Sequence, residues 1–304
     1  LSSPMKHHTT PSLPGPRRKR TAPDWQPKPV VAVVRLSGVI GPSQPLRGGL
    51  NLAGVAGPLE AAFSAKGVKA VALLINSPGG SPVQSSLIYK RIRSLAEEKG
   101  LPVYAFAEDV AASGGYMIAC AADEIYADES SILGSIGVVS AGFGFTGLIE
   151  KLGVERRVHT AGESKAMLDP FQPEKPEEVQ RLEALQKDVH DCFKKLVSDA
   201  RGDRLKSDDP ELFSGAFWAG AGAVERGLAD GIADLRSKMR DLFGRDVKLK
   251  LVVQRTPWWR PGGGVGASRV EGFFERFGAG FAGEIGDGLI AAAERRSLWS
   301  RFGL

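Results

Sequence analysis

The chain has 304 residues, of which 42% are hydrophobic and 25% charged, and a formal net charge of +5. That composition excludes a wholly disordered, fibrous or collagen-like chain, and the length calls for one large core with appendages. Cys120 and Cys192 are the only cysteines and stand outside any CxxC or Cys/His cluster, so no disulfide framework or structural metal is expected.

Residues 1–28 contain six prolines and the run Arg17-Arg18-Lys19-Arg20 but no helical or strand period, and read as a disordered basic tail. No aromatic residues interleave with the basic run to stack on bases, so a nucleic-acid partner is not expected. The start also lacks the apolar core of a secretory signal, and the best membrane-span candidate, Phe277 to Ala293, is broken by Glu284 and Asp287. These features place the chain on the cytoplasmic side without a spanning helix.

From Val30 onward β-rich runs alternate with helical patterns. Val30–Leu36, Lys69–Asn76 and Pro102–Glu108 are predicted strands, and Pro82–Lys99, ending at Gly100, is a predicted crossover helix. That rhythm predicts an α/β domain over 29–253, with βαβ units around a mainly parallel sheet. A longer helix is predicted over Glu174–Arg201, where Val179, Leu182, Leu185, Val189, Phe193, Leu196 and Val197 form an apolar stripe suited to core packing. After Val253 a Pro/Gly-rich linker opens a separate tail over 254–304. There Val270, Phe273, Phe274, Phe277, Phe281, Ile285 and Leu289 recur at helical spacing beside several arginines. This tail suits either peripheral membrane contact or packing on the body or a neighbouring subunit.

Three segments offer chemistry. Asn76-Ser77-Pro78-Gly79-Gly80 follows an apolar strand and precedes a helix; it is either a plain turn or a place where backbone N–H groups meet a substrate oxygen. Ala111-Ala112-Ser113-Gly114-Gly115-Tyr116 opens an apolar helix, which makes Ser113 either its N-cap or a nucleophile beside helix-terminal donors. A serine nucleophile needs a base, and histidine is scarce: His7 and His8 lie in the tail, His190 in a charged helical pattern, and only His159 in a predicted strand near the core. A desolvated lysine performs the same task, and Lys165, in Gly162-Glu163-Ser164-Lys165-Ala166-Met167-Leu168, has apolar followers.

Taken together, Asn76–Gly80, Ala112–Tyr116 and Gly134-Ser135-Ile136-Gly137-Val138 resemble the signal peptide peptidase A (protease IV) family in order and spacing. Lys165, 52 residues after Ser113, fits the family's single-module members, as do Phe217-Trp218-Ala219-Gly220 and Gly227-Leu228-Ala229-Asp230. The resemblance covers roughly residues 30 to 245 and implies a crotonase/ClpP-like βαβ spiral. It implies Ser113 as nucleophile, Lys165 as general base, the N–H groups of Gly80 and Gly114 as oxyanion hole, and Ser135 as the hydroxyl that orients the lysine, a turn serine being the other reading. The implied activity is a serine endopeptidase with a Ser-Lys dyad and no cofactor, which degrades small hydrophobic peptides such as cleaved signal peptides through an acyl-enzyme. The implied assembly is a ring of about eight subunits in which a neighbour supplies the lysine. Two other readings share the fold: a crotonase-type acyl-CoA hydratase or isomerase, which has no use for Lys165, and a catalytically inert ring scaffold.

Overall fold

The computed structural model describes residues 28–42, 49–206, 208–253 and 296–303. The Pro-rich start and the amphipathic pattern from Val270 to Leu289 lie outside these residues.

The first strand, β1 (Val30–Ser37), is followed by α1 (Leu52–Phe63), β2 (Val68–Ser77), α2 (Pro82–Lys99) and β3 (Val103–Ala112). These three strands pair in parallel, and their middles are buried on both faces, as continuous Val, Ile, Leu and Ala runs require. Ser81 caps α2 by accepting from the Gln84 N–H, and Gly100 ends the helix in the left-handed conformation (φ 60°). The expected strand, helix and stop are all present there.

β3 runs four residues beyond the predicted end at Glu108, because apolar Val110, Ala111 and Ala112 continue it into the core. A bulge makes the extension fit: Ile75 pairs with Ala107, but Ser77 pairs with Ala111. Asn76 serves the displaced backbone, accepting from the Val110 N–H and donating to the Asp109 carboxylate. The strand is then long enough to take two partners on one side. Its first half pairs with β4 (Glu124–Ala127) and its second half with β5 (Ile132–Gly134), both in parallel, after the short helix α3 (Gly114–Ala119).

Beyond β5 come α4 (Thr146–Lys151), α5 (Pro176–Arg201), β6 (Phe217–Ala219), α6 (Gly220–Glu225), β7 (Gly231–Ile232), α7 (Leu235–Phe243) and β8 (Lys248–Leu251). Among the described residues the sheet has eight strands in the order β6-β5-β3-β2-β1-β8, with β4 on β3 and β7 on β4; only the β5–β6 pairing is antiparallel. Helices α1, α2, α3 and the end of α5 cover one face, over Val34, Leu36, Leu73 and Ile75. Met239 of α7 covers the other, over Val31, Val33, Ala70 and Phe106. The fold is α/β with a mainly parallel sheet and flanking helices. No helix among the described residues is long and apolar enough to cross a membrane.

Two expectations are corrected. His159 lies in an exposed segment without secondary structure, since no strand forms between α4 and α5. The apolar stripe of α5 packs into the core only near its C-terminal end, where Phe193 and Val197 are buried, while Leu185 remains 61% exposed. The N-terminal half stands away from the sheet, together with the arm of residues 138–175 that precedes it.

The C-terminal end of α5 is anchored by charge. The buried Arg201 guanidinium donates to both Asp230 carboxylate oxygens (2.8 and 3.0 Å) and to the Gly227 carbonyl (2.8 Å), while Asp230 also accepts from the Ile125 N–H (2.7 Å). The Tyr116 hydroxyl donates to the Leu228 carbonyl (2.9 Å), so the Gly227–Asp230 loop ties α3, β4 and α5 together. Burial alone would raise the Asp230 carboxyl, but Arg201 and the Ile125 N–H outweigh it and hold the group below the usual carboxylate range.

Removing one partner strands a buried charge, so Asp230→Asn is expected to cost on the order of 3–5 kcal/mol at neutral pH by urea denaturation. A depressed folded-state carboxyl stabilises above its unfolded value and loses that contribution as pH falls. The gap between parent and variant should therefore close on acidification toward pH values where Asp230 is protonated in the folded chain.

Candidate active site

The site forms at the carboxyl ends of three neighbouring strands, where open parallel sheets bind ligands. Because Ala112 pairs with Gly134, the next residues, Ser113 and Ser135, leave the ends of β3 and β5 side by side. Both adopt φ 52°, and the only other non-glycine residue with positive φ among the described residues is Leu168. Such a conformation costs a serine on the order of 1–3 kcal/mol and persists only where the surroundings impose it. Here the Ser113 N–H donates to the Gly134 carbonyl (2.8 Å) and the Ser135 N–H to the Ala216 carbonyl (2.7 Å).

The alternative role of Ser113 as a helix cap fails. Its side chain makes no capping hydrogen bond to α3, although it stands at the N-cap position with φ 52° and ψ −122°. The hydroxyl is half-buried and borders a cleft of about 530 Å³ whose walls include Pro78, Gly80, Ser135, His190 and Ser214. A smaller recess of about 20 Å³ opens beside it, lined by Gly80, Gly114, Met117, Val189 and Phe193.

The turn at the end of β2 forms the opposite wall. Gly79 (φ 102°) lies so close to the nucleophile candidate that a Cβ there would stand 2.7 Å from the Ser113 Cβ and 2.9 Å from the Gly114 nitrogen. At Gly80 (φ 140°) a Cβ would collide with the Ile40 carbonyl oxygen, to which the neighbouring Ser81 N–H donates (2.8 Å). Thus Gly80, Ser113 and Gly114 meet around one point.

Ser113, Ser135, Gly80 and Gly114 are brought together, but Lys165 is not among the residues lining either cavity. It is exposed, in the arm of residues 138–175, with its N–H donating to the Gly162 carbonyl (3.2 Å). The arm is held to α5 through the Leu168 N–H and the Glu178 carboxylate (2.8 Å), and through Arg181 and the Ser164 hydroxyl (2.8 Å). Sequence reasoning misses three contributors. His190 reaches the cleft from α5, which its position directly after Val189 and three residues before Phe193 on the apolar stripe could have signalled. Leu298, within the helical turn at 296–300, and Arg301, just after it, also line the cleft, and nothing in their local pattern signals it.

Residues 96–244, spanning Ser113, Ser135, Lys165 and the Gly227–Asp230 loop, match the model of peptidase family S49. Those residues belong to that family. The chain is 54% identical over 280 residues to a protein of Brucella abortus (strain 2308) named Na(+)/H(+) antiporter NhaA, a match covering 90% of this chain and 37% of that protein. It is 34% identical over 207 residues to the chloroplastic serine protease SPPA of Arabidopsis thaliana, covering 62% of this chain and 30% of that one. The chain thus spans about a third of the length of these two relatives. Among solved structures, a mutant of the 1510-N membrane-bound stomatin-specific protease aligns with a TM-score of 0.42 at 13% identity, over 75% of this chain and 99% of that one.

The close approach of the Gly79-Gly80 turn to Ser113 makes a direct prediction. Gly79→Ala should destabilise the fold by about 1–3 kcal/mol in urea denaturation, through overpacking and the positive φ. Gly142→Ala, at a position open on all sides, should change stability by less than about 0.5 kcal/mol.

Proposed function

We propose that the chain is a serine endopeptidase in which Ser113 is the nucleophile and Lys165 the general base, acting on small hydrophobic peptides such as cleaved signal peptides. The observation that carries this reading is Ser113 itself: strained, uncapped, facing a cleft, and flanked by the glycine turn and the start of α3. The match of residues 96–244 to peptidase family S49 favours it over the acyl-CoA hydratase and scaffold alternatives.

The Lys165 amine removes the Ser113 hydroxyl proton as the oxygen attacks a peptide carbonyl. The N–H groups of Gly80 and Gly114 receive the developing oxyanion, a contribution for which one donor is typically worth about 10²–10³ in turnover. Collapse of the tetrahedral intermediate breaks the C–N bond, and the lysine ammonium returns the proton to the departing amine. Water then attacks the acyl-enzyme by the same route and restores Ser113. The Ser135 hydroxyl orients the lysine amine.

A lysine serves as base only when its amine is desolvated, whereas Lys165 is exposed in the single chain. The arm that carries it and the first half of α5 expose apolar side chains: Val139, Phe143, Leu148, Leu152, Val154 and Leu185 are each more than half exposed. Apolar surface of that extent is suited to a partner, and a second copy of the chain is the occupant that supplies what the cleft lacks. In this reading the arm of one subunit covers its neighbour and delivers Lys165 to the neighbour's Ser113, in a closed ring of about eight copies. The recess beside Ser113 admits little more than a methyl-sized group, which sets the side chain accepted before the scissile bond.

Two measurements test the proposal. On fluorogenic peptides, Ser113→Ala and Lys165→Ala should each abolish turnover at unchanged oligomer size. Co-assembling the two dead variants one to one should restore roughly a quarter of parental activity, the share of neighbour pairs carrying both intact groups. Full activity in Lys165→Ala rejects the dyad, and no recovery on mixing rejects delivery from the neighbour. Peptides with Ala before the cleaved bond should be preferred over those with Leu by about tenfold or more in kcat/KM, and the reverse order would reject the assignment of the recess.

A further inference from the structure

The segment that carries Ser135 leaves β5 without further strand pairing on its own side, with φ 106° at Gly134 and 52° at Ser135. Its hydrogen bonds are few and specific. The Ser135 N–H donates to Ala216 on one flank, and the Gly137 N–H turns back to the Ser135 carbonyl (3.0 Å). The carbonyl between them, that of the fully buried Ile136, lies 3.0 Å from Nε2 of His190. Because a carbonyl only accepts, Nε2 carries the proton, and the imidazole donates across from α5 to the turn.

The same helix connects every part of the site. Its C-terminal end is fixed by Arg201 on Asp230, and its N-terminal end holds the Lys165 arm through Glu178 and Arg181. Between these, Val189 and Phe193 line the small recess while His190 lines the main cleft. A positive-φ serine keeps its geometry only while its neighbours over-determine it, and His190 is the polar contact of α5 with this turn.

The geometry points to His190 as a positioning residue: by donating to the Ile136 carbonyl it registers the Ser135 turn against α5 and sets the Ser135 hydroxyl beside Ser113. Its hydrogen-bond partner is the Ile136 carbonyl and not the Ser113 hydroxyl, so its effect falls on the chemical step through Ser135. The inference rests on the peptidase reading for its kinetic consequence and on the fold alone for its structural one.

The experiment compares His190→Ala and His190→Gln in the full chain, at the parent's oligomer size, by peptide hydrolysis and by amide hydrogen exchange. Glutamine keeps an N–H donor at similar reach. His190→Ala should lower kcat by about ten- to a hundredfold with KM within about twofold, and His190→Gln should recover most of the loss. Exchange at residues 135–138 should quicken in His190→Ala while α3 keeps its protection. Parental kcat in His190→Ala, or a glutamine variant as impaired as the alanine one, overturns the assignment. An inactive parent would sink the peptidase reading instead; exchange then decides, and unchanged rates at 135–138 reject the tether.

Discussion

Parallel pairing of β2, β3 and β5 sends all three chains out of the same edge of the sheet, so the Gly79-Gly80 turn, Ser113 and Ser135 emerge within reach of one another. Each chain must turn away abruptly at that edge, and the turns are made by backbone conformations that only glycine adopts freely or that a serine holds under strain. The core on both faces of the sheet supplies the stability that keeps such geometry in place. Position and strain therefore have one origin, the register of β3 against its neighbours.

A second division follows from where burial stops. Strands, α1 to α3 and the end of α5 form the packed body, closed by the Arg201–Asp230 pair and the Tyr116 hydroxyl on the Gly227–Asp230 loop. The arm of residues 138–175 and the first half of α5 carry exposed apolar side chains and Lys165 but almost no buried ones. Ser113, Gly80 and Gly114 thus belong to the packed body, and the proposed base belongs to a part whose apolar side chains stay uncovered among the described residues. α5 spans the two, which is why a hydrogen bond at its middle matters to both.

Much of this is legible in the sequence, for identifiable reasons. The apolar runs of β1 to β3, the cap and stop of α2, and the glycine-rich turns around Ser113 are local patterns, and local physics decides them. The end of β3 lies beyond its predicted place because its last residues are held by a bulge and by Asn76 from another strand. Helical periodicity reports an apolar face but not what covers it, so the stripe of α5 reads as core along its whole length. His190 escapes notice because its partner, the Ile136 carbonyl, lies 54 residues away and carries no side-chain signature. The pairing of Ser113 with Ser135 through Ala112 and Gly134 likewise becomes visible only in the sheet.

If strain and position make Ser113 the reactive serine of the chain, a serine-directed acylating probe should find it alone. After the assembled parent protein is treated with a fluorophosphonate and digested, peptide mass spectrometry should place a single adduct on Ser113 and leave Ser135 unmodified. An adduct on Ser135 or another serine, or none on a protein that hydrolyses peptides, would mean that the reactive group lies elsewhere.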